Sequence, residues 1–234
     1  MRIGDFRLES SLVFGGSMTT TSSVDNDSST ANLRRLLIAA KGGDTDSLGE
    51  LLATYQNYLK LLARTHLDDK IRGRVSPSDV VQETMLEAHC DFPKFRGDSD
   101  GEFFAWLRRI LVNNLARAVE QHVLAAKRDV RREVSRDHIK TSLDRSTMRL
   151  EAMLSDHRPS VESDATVQEQ IVQLANAVGR LAPDHREVIV LRHLKGISFA
   201  KISEQMNRSS GATRMLWLRA IEQLRQLMTE ASGS

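Results

Sequence analysis

The chain has 234 residues, and its 33 basic and 31 acidic side chains leave a formal charge of +2. Hydrophobic residues at 40% and charged residues at 27% are typical of a folded protein and exclude a fully disordered chain. Only 5% of the residues are aromatic and only 4 are proline, which disfavours a β-sandwich or β-barrel. The lone cysteine, Cys90, excludes an intrachain disulfide and a cysteine-based zinc site, and it fits a reducing compartment.

The N-terminal segment, residues 1–30, is predicted to be a disordered tail because residues 15–30 form a Ser/Thr/Gly/Asp tract with almost nothing to bury. No apolar run reaches the roughly 18–20 residues that a membrane span needs. The apolar patch at residues 12–14 is too short for the core of a signal peptide. We therefore expect a cytoplasmic protein without a membrane partner.

Apolar periodicity predicts four helices between residues 31 and 132. The first begins near Ala31 and ends at the glycine pair Gly42-Gly43. The third begins after Ser76, whose side chain caps it, and ends near residue 92. A loop over 95–101 then leads to the fourth helix, predicted from about residue 102 to residue 127.

The fourth helix carries two stripes of side chains on neighbouring faces. The first has the spacing of a core face: Phe104, Leu107, Leu111, Leu115, Ala118 and His122. The second combines an aromatic ring, two guanidinium groups and an amide: Trp106, Arg109, Asn113 and Arg117. These groups suit contact with nucleic acid, because bases stack on rings and cations follow phosphates. Trp106 fits the core equally well.

The stretch after the fourth helix lacks a strong helical stripe. We predict a flexible linker over 133–166 that is partly helical around 148–154. The net charge is −3 over residues 137–170, +4 over 101–140 and +5 over 180–226. Two basic modules joined by an acidic connector indicate a polyanionic partner, although ordinary solvated helix faces carry such charges as well.

The C-terminal segment, residues 167–230, is predicted to hold four helices. The second of them starts at Pro183, Ser198 caps a short third helix, and Ser209 caps a longer, basic last helix. A short helix, a tight turn and a longer helix form a helix-turn-helix, in which the second helix enters the major groove of DNA. A helical hairpin with solvated arginines has the same spacing, so the pattern leaves both interpretations open.

In a helix-turn-helix the first turns of the last helix face the DNA. Small residues there allow the backbone to approach closely, while arginines can contact guanine or phosphate. The predicted contacts are Ser209, Ser210, Gly211, Thr213, Arg214 and Arg219.

Two motifs, in a fixed order along the chain, resemble those of bacterial sigma factors. The segment 181–206, LAPDHREVIVLRHLKGISFAKISEQM, and its continuation at 208–225 resemble region 4. Upstream, SDVVQET at 78–84 resembles the region 2.2 signature. FRGD at 95–98, followed by FAWLRRILVN at 104–113, resembles regions 2.3 and 2.4.

From these motifs, residues 31–228 are identified as a member of the extracytoplasmic-function (ECF) sigma factors, and their sequence is similar to the planctomycete type. The resemblance implies an all-α protein of two small helical domains joined by the flexible linker: region 2 over 31–132 and region 4 over 167–230. Region 2 would bind core RNA polymerase and open the −10 element, and region 4 would bind the −35 element. The implied partners are core RNA polymerase, through its β′ coiled coil and β flap, promoter DNA, and an anti-sigma factor or a regulatory kinase.

The resemblance also implies which residues of region 2 make these contacts. The third helix would dock on the β′ coiled coil through the exposed residues Asp79, Gln82 and Glu83, beside buried Val80, Val81 and Leu86. Solvated acids near a helix N-terminus would explain the two carboxylates equally well. The −10 element would be held by the loop and the helix after it: Phe95, Arg96, Gly97, Asp98, Arg109, Asn113 and Arg117. Relative to the family pattern, residues 100–102 lengthen this loop, and Thr213 replaces a small aliphatic residue.

We expect no enzymatic activity, and no catalytic residue, metal or cofactor, because the cluster His89-Cys90-Asp91 has no partner motif and no Gly-rich phosphate loop is present. The alternative function is a stand-alone helix-turn-helix transcription regulator whose N-terminal half is a dimerisation or sensor domain. Such a regulator would bind its DNA without core polymerase. A helical adaptor without a DNA role is disfavoured by the basic last helix.

Overall fold

The computed structural model describes residues 22–67, 75–123, 131–155 and 164–232, and in these ranges the chain is helical and has no strand. The helices are α1 (Ser22–Lys41), α2 (Thr45–His66), α3 (Pro77–Asp91), α4 (Asp100–Val123), α5 (Arg131–Ser155), α6 (Asp164–Arg180), α7 (Pro183–Ile189), α8 (Phe199–Gln205) and α9 (Ser210–Ser232). A 3-10 turn, Phe92–Lys94, follows α3, and a π-helical turn, Val190–Leu194, continues α7. The all-α fold class is confirmed. None of the helices in the described ranges is long and apolar enough to cross a membrane.

Helix α1 ends where the sequence predicts but begins earlier. Gly43 adopts a φ of +97°, the left-handed conformation in which glycine ends a helix without strain. The helix begins at Ser22, so the predicted tail is corrected for residues 22–30, while residues 1–21 lie outside the described residues.

The starts of α3 and α4 are each set by a serine cap. Ser76 caps α3 as predicted, with its Oγ accepting from the amide of Ser78 at 3.2 Å. In α4 the amide of Glu102 donates to Ser99 Oγ at 3.3 Å, and the amide of Ser99 donates to Glu102 Oε2 at 3.1 Å. This reciprocal pair is a capping box. Residues 100–102, predicted to lengthen the loop, are therefore the first turn of α4.

Helix α5 occupies much of the segment predicted to be a linker, and it is longer than the predicted helical stretch. Three buried apolar side chains face the core from its described part: Ile139, Leu143 and Leu150. Tyr58 and Thr147 share a buried hydrogen bond of 3.1 Å between their hydroxyl oxygens. The apolar residues of α5 do follow helical steps, but the polar residues between them weaken the sequence signal.

Helices α6 to α9 form a second bundle that contains the helix-turn-helix. Gly196, at a φ of +69°, separates the π-helical turn from α8, and Asn207, at a φ of +51°, lies in the turn between α8 and α9. Ser209 caps α9 as predicted, because its Oγ accepts from the amide of Ala212 at 3.2 Å. Ala220 and Leu224 bury the inner face of α9 against the other helices.

The two bundles pack against each other. Helix α6 lies along α2, where Asn57 Nδ2 donates to Asn176 Oδ1 at 2.9 Å. Arg64 on α2 forms a partly buried ion pair of 2.7 Å with Glu187 on α7. Helix α5 contacts both bundles, and Arg149 Nη1 donates to the Leu194 carbonyl at 2.6 Å. The domain boundaries at 132 and 166 remain predictions.

Candidate functional site

The first candidate surface is the exposed face of α3. Asp79, Gln82 and Glu83 are all exposed, while Val80 and Val81 are buried as predicted. Leu86, predicted to be buried, is instead 66% exposed. It lies one helical turn beyond Gln82 and Glu83 on the same face, so the spacing itself could have placed it there. Acidic, amide and apolar groups therefore share one accessible surface, the α3 face.

Arg117 connects this face to the polar stripe of α4. Its Nη1 lies 2.9 Å from Glu83 Oε1 and donates to Asn114 Oδ1 at 3.0 Å. Glu87 Oε2 lies 4.0 Å from the same nitrogen. Arg117, predicted to contact DNA, is thus already held by two carboxylates of α3, whereas Arg109 on the same stripe is exposed.

The second candidate surface is the loop before α4. It lies over an aromatic cluster formed by Phe92, Phe95, Phe103 and Trp106. The Phe95 ring centroid lies 5.6 Å from that of Phe103 and 5.1 Å from that of Trp106. Only 9% of Phe95 is exposed, so its predicted direct contact with the −10 element is corrected. The ring is buried because the loop turns back onto the bundle core. Trp106, which sequence spacing left undecided, is half-buried at the edge of the cluster.

The loop backbone is held by side chains on both sides. A Cβ on Gly97 would come within 2.5 Å of the Phe95 ring and 2.7 Å of Glu102 Cβ, so only glycine fits. The amide of Asp98 donates to Glu102 Oε2 at 2.8 Å. The carboxylate of Asp98 pairs with Lys41 of α1, and this hydrogen bond lowers the pKa of Asp98. Arg96 is left exposed on the outer surface of a fixed loop.

The third candidate surface is the N-terminal part of α9. Ser210, Gly211, Arg214 and Arg219 are exposed, and nothing lies within 4 Å of the position that a Cβ on Gly211 would occupy. Thr213 is fully buried, and its hydroxyl donates to the Ser209 carbonyl at 3.0 Å. Its predicted DNA contact is therefore corrected, because the helix turns this position inward. Met215 and Leu218 are each half exposed on the same outer face, which sequence spacing did not single out.

No group of three or more His, Cys, Asp or Glu residues in the described ranges could hold a metal ion. Cys90 is exposed near the end of α3. The three surfaces present exposed cations, amides and apolar side chains to solvent.

Residues 177–226 match the family model described as "Sigma-70, region 4", which covers α7, α8 and most of α9. The ECF RNA polymerase sigma-E factor of Haemophilus influenzae is 30% identical over 183 residues, which cover 78% of this chain and 87% of that protein. The chain belongs to the ECF RNA polymerase sigma factors.

Other ECF sigma factors are similar at lower identity. BldN of Streptomyces coelicolor is 27% identical over 206 residues, covering 87% of this chain and 69% of that protein. Two solved structures also match. One is a RsbN–BldN complex, which is 22% identical, covers 82% of this chain and 98% of that chain, and has a TM-score of 0.29. The other is CnrH in complex with the cytosolic domain of CnrY, which is 23% identical, covers 85% of this chain and 98% of that chain, and has a TM-score of 0.31. As an ECF sigma factor, this chain acts with core RNA polymerase on promoter DNA to initiate transcription.

Proposed function

We propose that this ECF sigma factor uses each of the three surfaces to bind a different partner. The α3 face, Asp79, Gln82, Glu83 and Leu86, docks on the β′ coiled coil of core polymerase. The loop at 95–98, together with Arg109 and Asn113, holds the −10 element. The N-terminal part of α9 binds the −35 element in the major groove, and region 4 over 167–230 also contacts the β flap.

The observation that carries the −35 assignment is the combination of a serine cap and an exposed arginine at the start of α9. Ser209 caps the helix, so its first turn has a fixed direction. Gly211 leaves open space for close approach, and Arg214 is exposed one turn later. A bidentate arginine contact with guanine needs this kind of access.

For the −10 element, the supporting feature is a loop with a fixed backbone and exposed polar groups. Because Phe95 is buried, we assign it to supporting the loop, and Arg96, Asp98 and Arg109 to contacting DNA. Arg117 contributes by fixing α3 against α4. The protein has no enzymatic activity of its own in this scheme and works in the cytoplasm, where core polymerase and promoters are. An anti-sigma factor or a regulatory kinase that controls it stays a prediction.

Substitutions on two surfaces should separate polymerase binding from promoter recognition. Arg214→Ala removes a base contact worth about 1–3 kcal/mol, so binding to the cognate −35 sequence should fall while core binding is retained. Asp79→Ala with Gln82→Ala should lower affinity for core polymerase, and this pair leaves the Glu83–Arg117 ion pair intact. Core binding can be measured by fluorescence anisotropy, and promoter binding by competition at fixed salt.

A stand-alone regulator gives a different result in the same measurements. It would bind its DNA site equally well with and without core polymerase. If the full-length protein does not bind core polymerase at all, the assignment of the α3 face is wrong.

A further inference from the structure

Phe199, the first residue of α8, packs against two guanidinium groups. The Cζ atom of Arg192 lies 4.7 Å from the centroid of the ring, and the Cζ atom of Arg214 lies 5.9 Å from it. The two arginines come from different elements, since Arg192 belongs to the π-helical turn and Arg214 to α9. Neither Phe199 nor Arg192 belongs to the three surfaces described above.

Neither of these guanidinium groups is neutralised within the described part of the chain. Arg192 Nη1 donates to the Ile197 carbonyl at 3.3 Å, and no carboxylate of the described residues lies within ion-pair distance of Arg192 or Arg214. Arg180 and Arg208 in the same bundle each pair with a carboxylate. Two cations near one ring repel each other, and the negative face of the ring offsets part of that repulsion. An anionic partner is what the arrangement favours.

The ring itself has a fixed orientation. Trp217 of α9 packs against it edge-to-face, with centroids 5.6 Å apart and an interplanar angle of 75°. The indole N–H of Trp217 donates to His193 Nε2 at 2.9 Å, which holds the tryptophan. A cation on a fixed ring loses less side-chain freedom when it binds, because part of that freedom is already lost.

We propose that Phe199 is a positioning residue that holds Arg192 and Arg214 as a pair directed at duplex DNA. Arg214 then contacts the edge of a guanine, and Arg192 adds a phosphate contact from outside α9. The inference rests on the proposed binding of the −35 element by α9. It adds a second element, the π-helical turn, to the DNA interface.

Substitutions at Phe199 test this in the holoenzyme, made from the full-length chain and core polymerase. The probe is a duplex that the wild-type holoenzyme selects from a library randomised in the −35 region. Phe199→Leu keeps apolar volume but removes the ring, so affinity for this probe should fall about threefold to tenfold. Phe199→Tyr keeps an aromatic ring, so its affinity for this probe should stay close to that of the wild type. Core binding should stay as in the wild type for both variants, and circular dichroism should show that both keep their helical fold.

A mutant cycle separates positioning from a general structural effect. If Phe199 acts through the two arginines, Phe199→Leu should cost little more once Arg192→Ala and Arg214→Ala are both present. Arg192→Ala should reduce the slope of log K against log salt by about one phosphate contact. Lys201→Ala is the matched control, because it removes an exposed cation of the same helix without touching the ring; Phe199→Leu should keep its full effect in that background.

If Phe199→Leu keeps its full effect when both arginines are already alanine, the positioning role is wrong and the proposed function still stands. Failure of Phe199→Tyr to keep affinity, with its fold intact, would overturn the positioning role too. If Arg214→Ala itself leaves binding of the probe unchanged, the −35 assignment and the inference both fail.

Discussion

His66, at the end of α2, lies in an environment that disfavours the protonated, charged imidazole. Its Nε2 lies 3.3 Å from Ser146 Oγ of α5. Burial, and then the nearby Lys195 and His138, lower its pKa from 6.5 to about 4. The imidazole is therefore neutral in the folded protein, and its protonation works against the contact between α2 and α5.

Because the folded pKa of His66 is below the unfolded value, only the unfolded chain takes up this proton between pH 6.5 and pH 4. The free energy of unfolding should be constant above about pH 6.5 and fall below it, by about 2 kcal/mol between pH 7.5 and pH 5 from this residue alone. His66→Gln should remove this part of the pH dependence. Urea unfolding of both proteins at the two pH values measures it, and parallel pH profiles would contradict the assignment.

At the scale of elements, α5 is where packing replaces an expected linker. Leu143 is fully buried, whereas Met148, little more than one turn further along, is 65% exposed. In a helix that is docked on both bundles, substitutions on the buried face should lower the free energy of unfolding, and substitutions on the exposed face should not. In a flexible linker, substitutions at either position should have little effect.

Alanine substitutions distinguish these two faces of α5. Leu143→Ala should lower the free energy of unfolding by about 2–4 kcal/mol, because it removes buried methyl groups and leaves a cavity. Met148→Ala, the matched control, should change it by less than about 0.5 kcal/mol. Chemical denaturation measures both. Equal, small effects would mean that α5 does not pack in solution.

At the scale of the whole molecule, the proposed −10 and −35 contacts predict that the two bundles separate on promoter DNA. A folded chain of this length is about 45 Å across. The −10 and −35 elements are about 25 base pairs apart, which is ~85 Å of duplex at about 3.4 Å per base pair. If region 2 holds the −10 element and region 4 the −35 element, as proposed, we expect the contact between α2 and α6, with the Arg64–Glu187 ion pair, to open when both elements are bound.

Energy transfer between two dyes should report this opening. Cys90 is the single cysteine and is exposed, so Gln226→Cys on the exposed side of α9 provides a second site. Transfer should be high in the free protein and low in the complex with core polymerase and promoter. Labelled protein that still initiates transcription is the control. Low transfer in the free protein would show that the bundles are already apart.

Much of the local structure follows from residues that act over one or two turns. Ser76 and Ser209 cap their helices as predicted, and Gly43 ends α1, because each depends on groups only a few residues away. The same holds for the helix-turn-helix and for the exposed Arg214, which carry the family resemblance.

Only the tertiary structure decided the burial and orientation of side chains whose neighbours are distant in the sequence. Phe95 is buried by rings from α4, Thr213 turns inward against its own bundle, and Leu143 finds its partners in helices far away in the sequence. The pairing of Arg192 and Arg214 on one ring likewise joins two elements. Residue type and spacing therefore determined the helices and the kind of surface this protein presents, whereas packing decided which side chains remain free to bind, because burial is a property of the neighbours that the fold brings together.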